Sequence, residues 1–356
     1  MDKTFSILLD LTRLTAALLV FFHHAQQILK DSWLSPVASF GHDAVIFFFI
    51  LSGFVIGYVS AHKEKSITDY AVARLARIYS VALPSLLLVF FLYFLGNKFF
   101  PLAYPDPINL SWLKVFISSI FFLNSSTSQF IAVPTNGPYW SICYEVWYYI
   151  IFGIAFYITG YRKYILLVIS TALAGLKILI LMPIWLLGFF CFLYHYKLTA
   201  SRPIGWLLII CSILCYFWIR YSNFDDTLFH ISAKLLGGEA NINEMLRFGK
   251  RFAPDYVIAI LFVLFFSGIF IIRDSFERGI LLCSGVIKLL SSFTFSLYLY
   301  HFPILYFLST LIGSSFLKIS ICLILIGLIG CFSERKKHKW QSILRLLFSP
   351  IRRNAI

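Results

Sequence analysis

The apolar segment 5–29 contains four ionisable side chains, an unusual content for so hydrophobic a stretch. A helix turns by about 100° per residue, which places Asp10, Arg13 and His24 within about 60° of one another on one face. His23 points about 100° away from His24 and so lies outside this polar stripe. An imidazole with an ordinary pKa of about 6.5 suits proton transfer at neutral pH, and we therefore expect His24 to be a general base. The alternative is an Asp10–Arg13 ion pair with an interfacial histidine.

Two arginines on a later segment have the spacing of a phosphate-binding pair. Arg74 and Arg77 are three residues apart, so both guanidinium groups emerge from one face of a helix. The guanidinium fork binds phosphate through two parallel hydrogen bonds, which favours a nucleotide-bearing ligand at this position. Ordinary arginines at the inner edge of a membrane-spanning helix are the alternative.

Two further polar side chains occur in aromatic, otherwise apolar surroundings. Glu145 follows Trp140 and lies among several tyrosines, so its carboxylate is placed to orient His24 or an acceptor hydroxyl, while aromatic faces suit a sugar ring. The alternative is an interfacial aromatic belt with Glu145 in the first turn of its helix, where the macrodipole favours an acid. His301 precedes Pro303 by two residues and is expected to bond across a helix bundle or to line a cavity.

The composition identifies the setting of these residues. The 356 residues are 60% hydrophobic, 19% aromatic and 13% charged, whereas soluble globular proteins are about 45 to 50% apolar and about 25% charged. So little polar surface cannot cover a particle in water, which predicts an integral membrane protein. The net charge of +14 does not follow a basic, aromatic-interleaved element, so we expect no nucleic-acid partner and interpret it as a topology signal. The seven cysteines lack the spacing of a metal site, and we assign no metal.

Ten apolar runs are long enough to cross a bilayer, which needs about 20 residues. They occupy residues 5–29, 44–61, 78–96, 142–159, 164–181, 183–197, 204–221, 255–272, 291–311 and 314–332. A further run at 112–123 is too short to cross and is predicted to be a re-entrant or interfacial helix. The expected fold is therefore an all-α polytopic membrane protein with about ten transmembrane helices. The connection 222–254 is expected to be a loop.

The positive residues predict an orientation and two regions. Most loop lysines and arginines fall on the side of the N-terminus when ten spans are counted, so both termini are expected in the cytoplasm. We expect a transmembrane domain at 1–334 and a basic cytoplasmic tail at 335–356. The tail combines its basic cluster with an apolar stripe that includes Trp340 and Leu347, which suits an anionic leaflet. A simple positive stop after the last span explains the basic cluster equally well.

Five blocks of the sequence together resemble a known family. In chain order they are LDLTRLTAALLVFFHHA, FFFILSGFVI, RLARIYS, NGPYWSICYEVWYY and FSLYLYHFPI. In this order, over roughly residues 5–332, they resemble the membrane acyltransferase 3 family, polytopic O-acyltransferases that modify bacterial surface carbohydrates. Ser80 and Val81 depart from the pattern, since a proline is common just after the arginine pair.

The resemblance assigns roles to individual residues. It implies that His24 is catalytic and that Arg74 and Arg77 bind the acyl-coenzyme A donor. Arg13 lies about 16 Å along the helix from His24, too distant to contact it, so we expect it on the donor side or in pairing Asp10. Glu145 is the second catalytic candidate. Supporting residues are expected at further motif positions, namely Asp10, Ser52, Gly53, Trp140, Ser141 and His301.

These expectations combine into one leading function. We expect a bacterial inner-membrane O-acyltransferase that uses acetyl-coenzyme A, or another short acyl-coenzyme A, as co-substrate and holds no tightly bound cofactor. The acceptor is expected to be a cell-surface or lipid-linked saccharide arriving from outside, and membrane lipids are the remaining partners. A transporter or flippase for a polysaccharide precursor is the alternative, although the sequence shows no internal repeat and no matched pair of broken helices.

Overall fold

The computed structural model describes residues 2–104, 111–126, 130–195 and 200–353. Within these four ranges the chain forms helices and connecting turns, with no strand. The α-helices are α1 (Lys3–Leu29), α2 (Ser35–Ala38), α3 (Gly41–His62), α4 (Ile67–Phe99), α5 (Trp112–Ile120), α6 (Tyr139–Tyr157), α7 (Tyr161–Ala174), α8 (Leu176–Leu179), α9 (Met182–His195), α10 (Arg202–Tyr221), α11 (Phe224–Leu235), α12 (Glu239–Leu246), α13 (Phe252–Ile272), α14 (Glu277–Ser291), α15 (Thr294–Leu311), α16 (Ser315–Phe332) and α17 (Lys337–Arg353).

Every predicted membrane span contains helix in the described ranges. Seven helical stretches there are long and apolar enough to cross a membrane, and they contain α1, α3, α4, α9, α10, α13 and α16. The three other predicted spans form α6, α7 and α15, of 19, 14 and 18 residues. The predicted short helix also forms, as the nine-residue α5. The expectation of an all-α polytopic membrane protein is confirmed.

The boundary between the fifth and sixth predicted spans lies elsewhere in the structure. The apolar pattern placed spans at 164–181 and 183–197, but α7 ends at Ala174 and Gly175 adopts a φ of 77°. A positive φ, which glycine adopts without strain, ends the helix. The continuous apolar stretch is therefore Leu176–His195, and the predicted end of that span lies in 196–199, outside the described residues.

The chain forms two compact units. Unit 1 comprises Met1–Ala16, His42–Lys63 and Thr171–Leu289, and unit 2 comprises Ala17–Gly41, Glu64–Ser170 and Leu290–Ile356. Helix α1 supplies its first half to unit 1 and its second half to unit 2. The polar stripe of α1 is therefore divided, with Asp10 and Arg13 in unit 1 and His24 in unit 2.

In unit 1, helices α3 and α9 meet backbone to backbone. A Cβ atom on Gly53 would lie 1.9 Å from the Trp185 carbonyl oxygen, and one on Gly188 would lie 1.9 Å from the Ile50 carbonyl oxygen. A side chain at either position would separate the helices, so both positions require glycine. The Trp185 Nε1–H also donates to Ser52 Oγ at 3.1 Å. Ser52 and Gly53 therefore join two helices of unit 1.

The connection expected as a loop contains α11 and α12, and ion pairs tie it to the rest of unit 1. Arg220 at the end of α10 binds Asp43 of α3 and, at 2.7 Å, Asp225 of α11. Arg251 lies 2.9 Å from the same Asp225 carboxylate oxygen. Asp225 is only 5% exposed, and a buried carboxylate needs such partners to remain charged. Asp225 thus anchors α11 to α10 and to the segment before α13, so the connection is not a solvated loop.

In unit 2, a proline in α15 leaves a carbonyl group without its usual helical partner. Pro303 has no N–H, so the Leu299 carbonyl cannot accept the bond from four residues later. Ser85 Oγ donates to this carbonyl at 3.0 Å, and Asn136 Nδ2 donates to it at 3.2 Å. Because buried carbonyl groups are rarely left unpaired, these bonds hold α15 in place two residues before His301.

The first turns of α4, also in unit 2, are fixed by a cap. Ser66 Oγ accepts a hydrogen bond from the Asp69 N–H at 3.1 Å and donates to the Asp69 carboxylate at 2.8 Å. An N-cap serine with an acid at the third helical position satisfies donors that the first turn leaves open. The cap fixes where α4 begins and hence the register of Arg74 and Arg77.

The tail forms helix α17, which packs against α4 in unit 2. The segment before α17 is anchored to α15, because the Glu334 carboxylate accepts a hydrogen bond from the Ser296 N–H at 2.8 Å. Ile343, Leu346 and Leu347 are 55%, 75% and 66% exposed, and the helix sequence contains basic but no acidic residues. An exposed apolar strip on a basic helix is typical of a helix lying at an anionic membrane surface, one of the two interpretations of the tail. Residues 354–356 lie outside the described ranges.

Candidate active site

Unit 2 brings two histidines together. His24 on α1 and His301 on α15 approach until Nδ1 of His24 lies 3.0 Å from Nε2 of His301. His301 is fully buried, and its Nδ1 lies 2.8 Å from the Leu297 carbonyl oxygen. The Phe302 ring stands edge-on to His24, with ring centroids 5.3 Å apart. The two imidazoles are thus linked to each other and to the backbone in apolar surroundings.

These contacts determine which nitrogen of each neutral ring carries the proton. A carbonyl oxygen can only accept, so Nδ1 of His301 holds a proton and donates it to Leu297. The Nε2 atom of a neutral His301 is then an acceptor, and His24 must donate from Nδ1. The lone pair of neutral His24 therefore resides on Nε2. That atom is the one able to take a proton from a substrate.

The neighbouring His23 has a different set of contacts in unit 2. Its Nδ1 lies 2.6 Å from the Ala38 carbonyl oxygen, and its Nε2 lies 2.9 Å from Nε2 of Gln27. A Cβ atom on Gly41 would lie 2.1 Å from the His23 Cβ, so the chain passes close against this side chain. Both ring nitrogens of His23 are engaged in holding the segment after α1.

Glu145 lies in the second turn of α6 and not in its first. The helix begins at Tyr139, so the interpretation of Glu145 as a first-turn acid favoured by the helix dipole is wrong. The Tyr149 hydroxyl, one turn further along α6, donates to the Glu145 carboxylate.

Helix α6 starts earlier than the apolar pattern indicates, because the segment before it contributes Tyr139. The Tyr139 side chain is buried, and its hydroxyl donates to the Ser119 carbonyl at 3.0 Å.

Two supporting residues of α6 pack in the interior of unit 2. The Ser141 and Tyr298 hydroxyl groups lie 2.5 Å apart, and Trp140 stands edge-on to Tyr144 with centroids 4.9 Å apart. Tyr298 precedes His301 by three residues on α15, so the two side chains share one helix face. Ser141 is thereby connected to the face of α15 that bears His301.

Arg74 of the predicted phosphate-binding pair already has a carboxylate partner. Its Nη2 lies 2.5 Å from Oε1 of Glu64. The guanidinium also lies over the rings of Tyr70 and Tyr149, at 5.7 and 5.9 Å from their centroids, which is within the range of cation–π attraction. Arg77 lies within electrostatic range of the Tyr149 hydroxyl. Arg74 thus lies in an aromatic and acidic environment in unit 2, and Arg77 follows it three residues later on α4.

The remaining site candidates belong to unit 1. Arg13 Nη2 donates to Asp10 Oδ1 at 3.0 Å, and each side chain is about one quarter exposed. The Asp10–Arg13 ion pair that the sequence offered as an alternative is therefore present. A second polar pair joins His42 Nε2 to Asp255 Oδ1 at 2.9 Å.

Sequence reasoning missed two residues of this environment, Glu64 and Tyr298. Glu64 stands between Lys63 and Lys65 in a polar turn, a pattern typical of a solvated connection. The signal for Tyr298 is its spacing from His301, which is easily overlooked in a segment where Tyr300 and Phe302 also flank the histidine. The contacts of Glu64 and Tyr298 with site residues are recognised only once the structure brings distant segments together.

The fold and this site define a polytopic membrane protein with a paired histidine suited to acid–base chemistry. The model of the acyltransferase 3 family, described as an acyltransferase domain, matches residues 7–333. That range covers nearly the whole sequence, and the chain belongs to this family.

One relative among characterised proteins is the O-acetyl transferase of Shigella phage Sf6, which is 33% identical over 153 residues. The match covers 41% of this chain and 44% of the phage protein, so it spans less than half the length of that relative. Among solved structures, none matches the chain.

Proposed function

We propose that the protein is an O-acyltransferase that moves an acetyl group from acetyl-coenzyme A to a hydroxyl group of a saccharide. The observation that carries the proposal is the His24–His301 contact in a chain of the acyltransferase 3 family. An alcohol holds its proton far too tightly to ionise unaided at neutral pH, so acyl transfer to oxygen needs a positioned base. The name of the phage relative supports acetyl as the group and oxygen as the acceptor.

The proposed step runs through the free nitrogen of His24. Nε2 takes the proton from the acceptor hydroxyl while the oxygen attacks the thioester carbonyl carbon. The carbon–sulfur bond breaks, and the departing thiolate receives the proton from His24, which leaves an acetyl ester, coenzyme A and a neutral imidazole. His301 accepts from His24 Nδ1 throughout and holds the ring in the productive tautomer. Glu145, bonded by Tyr149, is the second catalytic candidate and would hold the acceptor hydroxyl.

The setting of the reaction is part of the proposal. The donor is proposed to enter from the cytoplasm at Arg74 and Arg77, with Arg13 also on the donor side. The acceptor, a cell-surface or lipid-linked saccharide, is proposed to arrive from the opposite face of a bacterial inner membrane. The saccharide class rests on the substrates of the family that the sequence blocks resemble. The excess of lysine and arginine in one set of loops supports this orientation.

Mass spectrometry of surface polysaccharide tests the function directly. Cells that carry the gene should yield polysaccharide heavier by one acetyl group per modified residue than cells that lack it. If the polysaccharide has the same mass in both kinds of cell, and cells that lack the gene accumulate precursor inside, the protein is instead a transporter.

The donor site gives a second expectation. Arg74→Ala and Arg77→Ala should each weaken coenzyme A binding by about 10 to 100-fold, because each removes charge-assisted hydrogen bonds to phosphate. Isothermal titration of purified full-length protein with coenzyme A measures this. Arg278→Ala is the matched control, since that arginine is exposed on α14 and should bind coenzyme A as the wild type does. Unchanged affinity in both variants would reduce the pair to topology signals.

The membrane orientation can be measured with reporter fusions. A reporter placed after Lys163 should be active in the cytoplasm, and one placed after Glu239 should be active on the other side, because the positive loops favour that arrangement. Activity of both reporters on the same side would contradict the orientation and with it the proposed entry of the donor.

A further inference from the structure

Arg74 does not present an open guanidinium in this structure. The Glu64 carboxylate oxygen lies 2.5 Å from Arg74 Nη2, and the two side chains are only 9% and 12% exposed. A pair so shielded from water is screened little by salt, and each charge needs the other. Any anion that binds Arg74 through the same face of the guanidinium must therefore replace Glu64.

Aromatic and helix contacts fix the position of Arg74. The rings of Tyr70 and Tyr149 lie on the guanidinium at 5.7 and 5.9 Å, and the Tyr70 hydroxyl donates to the Tyr149 carbonyl at 2.9 Å. Arg74 itself belongs to the capped first turns of α4. Its position is thus set by helix and aromatic contacts that remain when Glu64 leaves.

Glu64 lies in a short segment outside any helix. Helix α3 ends at His62, and α4 begins at Ile67 after its cap at Ser66. The Tyr157 hydroxyl donates to the backbone carbonyl of Glu64 at 3.1 Å, which leaves rotation of the side chain unhindered by that bond. The carboxylate can swing away from Arg74 without unwinding either helix.

A donor phosphate matches what Glu64 supplies and adds to it. A phosphate group brings at least one negative charge and several acceptor oxygens in a geometry that fits the guanidinium fork. Arg74 Nε has no hydrogen-bond partner among the described residues, so a second parallel bond is open to a ligand of this shape. Exchange of carboxylate for phosphate would keep the arginine neutralised and would satisfy a donor that is now unpaired.

We propose that Glu64 is a resident counter-ion that the phosphate of the acyl-coenzyme A displaces from Arg74. The proposal rests on the assignment of Arg74 to the donor site. Glu64 competes with coenzyme A, lowers its affinity, and refills the site when the product leaves. The arginine is never left as an uncompensated buried charge during the cycle.

Titration calorimetry of the purified full-length protein with coenzyme A tests the competition. Glu64→Gln removes the competing charge and keeps the side-chain size, so the Kd for coenzyme A should fall by about 5-fold or more. In an Arg74→Ala background, Glu64→Gln should not lower the Kd further, because Glu64 then has no arginine for which to compete with coenzyme A. Glu277→Gln is the matched control, since it makes the same substitution at an exposed carboxylate of α14, and its Kd should stay within about twofold of the wild type.

Each outcome decides a stated point. An unchanged or higher Kd in Glu64→Gln, with binding that still depends on Arg74, would overturn the inference and make Glu64 a positioning residue while the donor site stands. Coenzyme A binding that does not respond to Arg74→Ala would remove both the donor assignment and the inference. If Glu64→Gln cannot be purified, Glu64→Asp shortens the reach of the carboxylate and should lower the Kd in the same direction, and a Kd that does not fall would overturn the inference.

Discussion

Replacing His24 by alanine should lower acyl transfer by about 10² to 10⁴-fold, the range expected for loss of a positioned general base. The effect should fall on kcat, because Nε2 of His24 acts on the proton that moves in the chemical step. Donor binding should change little, since the arginines remain in place. Transfer of radiolabelled acetyl from acetyl-coenzyme A to polysaccharide by purified protein measures both parameters.

The adjacent histidine supplies the control for His24→Ala. His23→Gln keeps an N–H group able to donate toward the Ala38 carbonyl, which His23 now contacts at 2.6 Å. It should therefore retain most of the activity at normal levels of protein in the membrane. The reverse result, full activity in His24→Ala and none in His23→Gln, would show that the base has been assigned to the wrong ring.

His301→Leu is expected to lower kcat by about 10 to 100-fold with little change in KM, the usual range for loss of a residue that orients a reacting group. Leucine removes the acceptor at 3.0 Å from His24 Nδ1, so the His24 ring can turn or change tautomer. His301→Gln should recover much of this loss, because its amide oxygen can accept the same hydrogen bond. Steady-state kinetics of the three proteins, with both substrates varied, separates kcat from KM.

The glutamine variant distinguishes positioning from packing. A role in packing alone predicts that Leu, which suits an apolar interior, is tolerated better than the polar Gln. Equal losses in kcat for Leu and Gln, or a better leucine enzyme, would count against the tautomer argument. Circular dichroism and membrane yield should be the same for both variants.

The helical positions of the candidate residues could be read from the sequence because they depend on local periodicity. The apolar runs predict the spans, and the 3.6-residue period places Asp10, Arg13 and His24 on one side of α1. What the period cannot supply is the partner across the bundle. His301 is 277 residues from His24 along the chain, and no local pattern specifies which distant helix face it meets.

Boundaries and polar connections were less predictable for a physical reason. Hydrophobicity does not reveal that Gly175 takes a positive φ and ends α7, nor that α6 extends back to Tyr139 through a polar stretch. Asp225 and Glu64 have the sequence context of solvated residues, yet Asp225 is buried and the Glu64 side chain is largely shielded from solvent, each beside an arginine. Charge compensation from other helices determines their burial, and it is set by tertiary structure.

Insertion into a bilayer first leaves α3 and α9 as separate apolar helices, because lipid tails compete with side chains for their surfaces. Their association then depends on the close approach at Gly53 and Gly188 and on the bond from Trp185 to Ser52. A bulkier residue at either glycine would yield a chain that is synthesised and inserted but not assembled, a substrate for membrane quality-control proteases. Loss of activity in such a variant would reflect a smaller amount of folded protein and not a slower chemical step. Activity screens of this chain should therefore be normalised to the amount of folded protein before Ser52, Gly53 or Phe54 is counted as catalytic.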